Sequence, residues 1–157
     1  MDAIRFVLNG RETSYEGSAA DRLLDVLRDR YDCRSVKCGC KEGECGACSV
    51  LIDGRLMNSC CVAMGAVEGA DILTLEGYRD TERFAALSKA FGELAAVQCG
   101  FCIPGMVLAA EAILARNPHP SEEEIRDGLS GNLCRCTGYN AIVNAVNNAA
   151  KEGDGLW

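Results

Sequence analysis

Eleven cysteines in 157 residues constrain this chain more than any other feature. The count is odd, so a fully paired disulfide framework fails by arithmetic. Eight of them fall into two groups. Cys40, Cys45, Cys48 and Cys60 lie in the first half, and Cys99, Cys102, Cys134 and Cys136 in the second. The opening segment, MDAIRFVLNG, carries charge at Asp2 and Arg5 and has no apolar signal region. The expected setting is the cytoplasm, where thiols stay reduced and clustered cysteines more often bind metal than staple the fold.

The first group has the spacing C-x4-C-x2-C-x11-C. Its opening run is that of plant-type ferredoxins. A [2Fe–2S] cluster needs four thiolates on two irons, and a tight loop can supply three of them. The loop KCGCKEGECGAC contains Gly39, Gly43 and Gly46, which allow the backbone to pass close to a cluster and aim amides at its sulfurs. Zinc is the competing reading, although structural zinc sites favour paired knuckles with two to four residues between ligands. Cys33, Cys38 and Cys61 are expected to be free, packed thiols, since cysteine often behaves as a small buried apolar residue. Spacing alone leaves Cys38 and Cys61 in competition with their ligand neighbours.

The second group reads C-x2-C-x31-C-x-C. Both of its pairs sit in turn-like settings at the ends of expected helices, QCGFCIPG and GNLCRCTG. Pro104 suits a first helical residue, and a helix N-terminus turns free amides toward an anionic cluster. Taken alone, C-x2-C leaves zinc, iron–sulfur and thiol-redox chemistry open. No βαβ pattern surrounds Cys99 to support the thiol-redox reading.

The pattern between the cysteines changes character near the middle. Ile4, Phe6 and Leu8 alternate with Arg5 and Val7 before an Asn9-Gly10 turn, and a second strand follows over Glu12–Tyr15. Ala20–Arg30 has helical periodicity. Ser49–Asp53 and Leu56–Asn58 form a hairpin about Gly54-Arg55, and Ile72, Leu73 and Leu75 suggest a last strand. Glu76–Arg83 is polar and aperiodic and is read as a linker. Four helices follow. The first carries Phe84, Leu87, Phe91 and Leu94, and the second spans Gly105–Arg116. The third opens on a Ser121-x-x-Glu124 capping box, and the fourth spans Ala141–Ala150.

Composition excludes other classes. A net charge of -7 argues against nucleic acid. The longest apolar stretch, Ile103–Ala115, contains Pro104 and Glu111 and is too short to span a bilayer. The lone histidine, His119, lies between two prolines and is read as a solvated turn residue. No catalytic residue is expected in this chain.

Together, CKEGECGACSVLIDG, QCGFCIPGM and GNLCRCTGY resemble the two-cluster subunit of the xanthine oxidase family, the molybdenum hydroxylases. The resemblance runs from Ile4 to about Ala149. It implies an α+β chain with a plant-type ferredoxin β-grasp domain over 1–76 and an all-α four-helix-bundle domain over 77–157. It implies two [2Fe–2S] clusters on the eight cysteines named above. It also implies partners in a hetero-oligomer, a large molybdenum-pterin-binding subunit and a medium FAD-binding subunit. Electrons would run from molybdenum through the bundle cluster, then the ferredoxin cluster, to FAD. Gln98 is expected to hydrogen-bond the pterin, with Cys136 close to its amino group. The whole enzyme would hydroxylate a carbon next to nitrogen or carbonyl, with oxygen taken from water. Cys38 and Cys61 depart from the family's common pattern, as does Ile103, where threonine is usual.

Overall fold

The computed structural model describes residues 3–157, so Met1 and the charge noted at Asp2 lie outside the described residues. Strands β1 (Ile4–Leu8) and β2 (Arg11–Tyr15) form an antiparallel hairpin. Its turn residues, Asn9 and Gly10, have φ of 52° and 77°, the doubly positive geometry that matches strand twist. Helix α1 (Leu23–Asp29) follows, and then the cysteine loop. Strands β3 (Ser49–Ile52) and β4 (Arg55–Asn58) form the second hairpin. Its turn is Asp53-Gly54, with φ of 49° and 75°, one residue earlier than expected. Asp and Gly tolerate positive φ and arginine does not, so the turn settles on them. Strand β5 (Asp71–Leu73) completes a sheet of order β2-β1-β5-β3-β4. Among the described residues only the β1–β5 pairing is parallel.

The two faces of this sheet belong to two cores. On one face, Ile4, Phe6, Val50 and Ile72 pack against Leu23 and Leu27 of α1. On the other, Leu51, with Leu56 and Leu73 beside it, joins the core of the helical half. Strand β3 is therefore covered on both sides, and this explains its unbroken apolar run, SVLI.

Expectation and structure differ at Glu76–Arg83. This stretch is not a linker. Leu75–Tyr78 forms the short helix α2, and α3 (Glu82–Glu93) begins after the capping residue Thr81. The polarity that suggested solvent serves as anchorage. Glu76 accepts hydrogen bonds from the Ser35 amide (2.7 Å), the Ser35 hydroxyl (2.5 Å) and the Thr74 hydroxyl (2.7 Å). Tyr78 is buried. Leu75, expected in the last strand, opens α2 instead.

Helices α3, α4 (Ile103–Arg116), α5 (Glu122–Gly128) and α6 (Asn140–Glu152) form a bundle. Its core includes Leu87, Phe91, Met106, Leu114, Ile125 and Val146. The Ser121–Glu124 capping box is present in both directions. Met106, Val107 and Ala109 are buried within the bundle itself. His119 is exposed. No described helix is long and apolar enough to cross a membrane.

Candidate metal centres

Cys40 and Cys45 of the first group lie in a loop without regular structure, closed by a hydrogen bond from the Lys37 amide to the Ala47 carbonyl (3.0 Å). Cys48 follows directly, and Cys60 comes from the tight turn Ser59–Cys61 after β4. Positive φ at Lys41, Gly43 and Gly46 turns successive amides inward. The Cys40 sulfur accepts from the amides of Glu42 (3.3 Å) and Cys45 (3.4 Å), and the Cys60 sulfur from that of Gly43 (3.2 Å). The amides of Glu42, Cys45 and Glu44, in that order, bring the Cys40 thiol down to about 6. The glycines are needed for space as well. A Cβ at Gly39 would stand 2.6 Å from the Cys45 sulfur.

The second group forms where α4 begins and where the α5–α6 connection passes it. Cys102 is the N-cap residue of α4, with Pro104 in its first turn. The Cys99 and Cys136 sulfurs, 37 residues apart in sequence, lie 3.7 Å from each other. Burial raises the Cys134 thiol, but hydrogen bonds from the Thr137 hydroxyl and the Cys136 and Thr137 amides outweigh it and hold the thiol below its ordinary value. Burial, with Cys134 adjacent, pushes Cys102 up to about 12.

The sulfurs thus meet in pairs, Cys40 with Cys45, Cys48 with Cys60, Cys99 with Cys136 and Cys102 with Cys134. Among the described residues no three His, Cys, Asp or Glu side chains gather as the ligands of a single ion. Paired thiols, loop amides aimed at sulfur and glycines that leave room at the site fit a two-iron cluster, in which each iron takes two thiolates.

Known proteins agree. Residues 6–72 match the model of a 2Fe-2S iron-sulfur cluster binding domain, and residues 74–147 that of a [2Fe-2S] binding domain. The nicotinate dehydrogenase small FeS subunit of Eubacterium barkeri is 47% identical, over 95% of each chain. The xanthine dehydrogenase iron-sulfur-binding subunit of Escherichia coli O157:H7 is 43% identical, over 91% of each. The chain belongs to the small iron–sulfur subunits of the molybdenum hydroxylases. Quinoline 2-oxidoreductase from Pseudomonas putida 86 has the same fold, with TM-score 0.90 and 41% identity over 97% of this chain and 94% of that one. Aldehyde oxidoreductase from Desulfovibrio desulfuricans ATCC 27774 matches at TM-score 0.92 and 41% identity, with this chain covering 17% of its length. This small subunit is an α+β electron-transfer chain with two [2Fe–2S] clusters.

The remaining cysteines divide. Cys33 is buried, as expected, but Cys38 and Cys61 are exposed and not packed. The tight turn Ser59–Cys61 sends Cys60 inward and leaves its neighbour outside. Even so, the Cys61 sulfur stays 3.7 Å from that of Cys60. Gln98 is exposed beside the exposed Cys99.

Sequence reasoning assigned no role to Asn132, although it lies inside the GNLCRC motif. The small subunit buries this residue, and its amide nitrogen donates to the Gly46 carbonyl (3.0 Å) and the Ser49 hydroxyl (3.2 Å). Alongside it the Leu133 amide donates to the Cys45 carbonyl (2.9 Å). The two cysteine loops are therefore directly joined. The junction needs a glycine at position 46, where φ is +67° and a Cβ would stand 2.3 Å from the Gly131 carbonyl oxygen. Gly46→Ala is expected to part the loops at a cost of about 3 kcal/mol, from backbone strain and overpacking together. Chemical denaturation measures the loss, and weaker spin–spin splitting between the reduced clusters reports the separation.

Proposed function

We propose that this chain relays electrons from a molybdenum-pterin site on a large partner subunit to FAD on a medium one, in a cytoplasmic hetero-oligomer. Cys40, Cys45, Cys48 and Cys60 hold one cluster in a ferredoxin-type domain over 1–76. Cys99, Cys102, Cys134 and Cys136 hold the other in a helical domain over 77–157. When bound, each cluster accepts and releases a single electron. The chain contributes ligand geometry, amide donors to sulfur, and a link of one hydrogen bond, Cys45 carbonyl to Leu133 amide, between residues that are or adjoin ligands of the two groups.

The observation that carries this reading is the surface around Cys99 and Cys136. Both are exposed, and so are the apolar side chains near them in sequence, Val97 at 43%, Phe101 at 48% and Leu133 at 55%. Apolar side chains around an exposed thiol pair suit a buried contact with the pterin-bearing partner, where Gln98 and Cys136 face the pterin. Phe101→Asp, made in the enzyme co-expressed with its partners, is expected to release the small subunit on size exclusion with its iron retained. If Phe101→Asp and Leu133→Asp both still co-elute with the large subunit, this face is not the contact.

A further inference from the structure

We propose that Thr137 is a positioning residue that raises the reduction potential of the second cluster through its hydrogen bond to Cys134. The inference rests on the ligand assignment proposed above. The Thr137 hydroxyl lies 3.1 Å from the Cys134 sulfur and donates to it. Its direction is fixed by its neighbours. The Tyr139 amide donates to the same hydroxyl oxygen (3.2 Å), which leaves the hydroxyl proton for the sulfur. The Tyr139 ring returns to the same cysteine, and its phenolic oxygen accepts from the Cys134 amide (2.9 Å). Cys134, Thr137 and Tyr139 thus close a ring of three hydrogen bonds around one ligand.

The ring requires an unfavourable backbone. Tyr139 has φ of +70°, a left-handed conformation rarely adopted by a bulky residue. Strain of this kind persists where surrounding contacts over-determine it, and it concentrates at functional sites. The first group is built differently. Backbone amides donate to Cys40 and Cys60, and the side-chain donor near Cys60 is the weak thiol of Cys61. Side-chain substitution removes a hydroxyl donor and leaves a backbone amide in place, so Thr137 gives the second group an adjustable donor.

The sign follows from charge. Reduction adds one electron, and the added negative charge is shared by the ligand sulfurs. A donor to one of those sulfurs bonds the more negative state more strongly. It therefore favours the reduced form and raises the potential. Removing the hydroxyl lowers it.

The test is an EPR-monitored redox titration of the enzyme assembled with its partner chains. Cys134→Ser first identifies the second cluster's signal by abolishing it. Thr137→Val, which keeps the shape and drops the donor, is expected to shift that cluster's reduced-to-oxidised ratio about tenfold at a fixed poise, ~59 mV downward for a one-electron couple. The first cluster's potential stays in place, and Thr137→Ser restores that of the second. An unmoved second potential in Thr137→Val overturns the inference. So does an equal shift of both clusters, a Thr137→Ser variant as low as the valine, or loss of iron from Thr137→Val, which would make the hydroxyl a matter of cluster retention. If Cys134→Ser leaves both signals in place, the ligand assignment itself fails.

Discussion

Cys45→Ser is expected to halve the iron and acid-labile sulfide of the purified subunit and to spare the second cluster. Cys45 stands at the centre of the first loop. Its amide donates to the Cys40 sulfur, and its own sulfur sits where Gly39 leaves room for it. A serine hydroxyl does not ionise near neutral pH and is a poor replacement for a thiolate. Without its cluster the loop between Val36 and Ser49 has no helix or strand to hold it. A cluster that joins Cys40 to Cys60 closes a loop of about twenty residues, worth about 3 kcal/mol on the chain-entropy account of a cross-link. Metal-binding free energy is folding free energy in such loops. The thermal midpoint should therefore fall by roughly 6–12 °C. Four sulfurs of the helical half are untouched, so one EPR signal and half the visible absorbance remain. Unchanged iron content would remove Cys45 from the ligand set.

Glu111→Ala should destabilise the helical half as strongly with no loss of ligand. This carboxylate is buried on α4. It accepts from the Tyr78 hydroxyl (2.5 Å), the Trp157 indole nitrogen (2.6 Å) and the Arg83 guanidinium (2.8 Å). Arg83 also donates to the Leu156 carbonyl (2.6 Å), so one buried charge ties α2, α3 and the final residues to α4. Alanine leaves a buried phenol and a half-buried indole without an acceptor. The cost is about 4 kcal/mol, or roughly 8–16 °C in Tm. Glu111→Gln keeps an acceptor and should lose less. The same contact gives a pH signature. Burial first, and then the Glu111 carboxylate, raise the Tyr78 phenol above its ordinary value. Below pH about 10 the phenol is protonated in both folded and unfolded chains, and its contribution is intact. Above that the unfolded chain loses its proton first, so stability falls. Urea denaturation between pH 8 and 11 should show this decline, and Tyr78→Phe should flatten part of it.

Local chemistry was legible in the sequence. Asn9-Gly10 and the Ser121–Glu124 box each name their own geometry, because the atoms that enforce it lie within a few residues. Features built across distance were not. Glu76 looked solvated because its partner Ser35 is 41 residues away. Asn132 drew no role because the carbonyl it satisfies belongs to Gly46, 86 residues earlier. The exposure of Cys61 depended on which way the Ser59–Cys61 turn faced, and spacing does not encode that. Polarity alone does not separate a residue that meets water from one that meets a remote backbone.

Strand β3 has a consequence for gene fusion and domain exchange. Val50 contributes to the core beneath α1, and the adjacent Leu51 to the core around α4. A β-rich half grafted alone onto another protein would arrive with Leu51, Leu56 and Leu73 uncovered. Such a chimera should clump unless the recipient supplies a helix in place of α4, so a transferable unit is the two halves together.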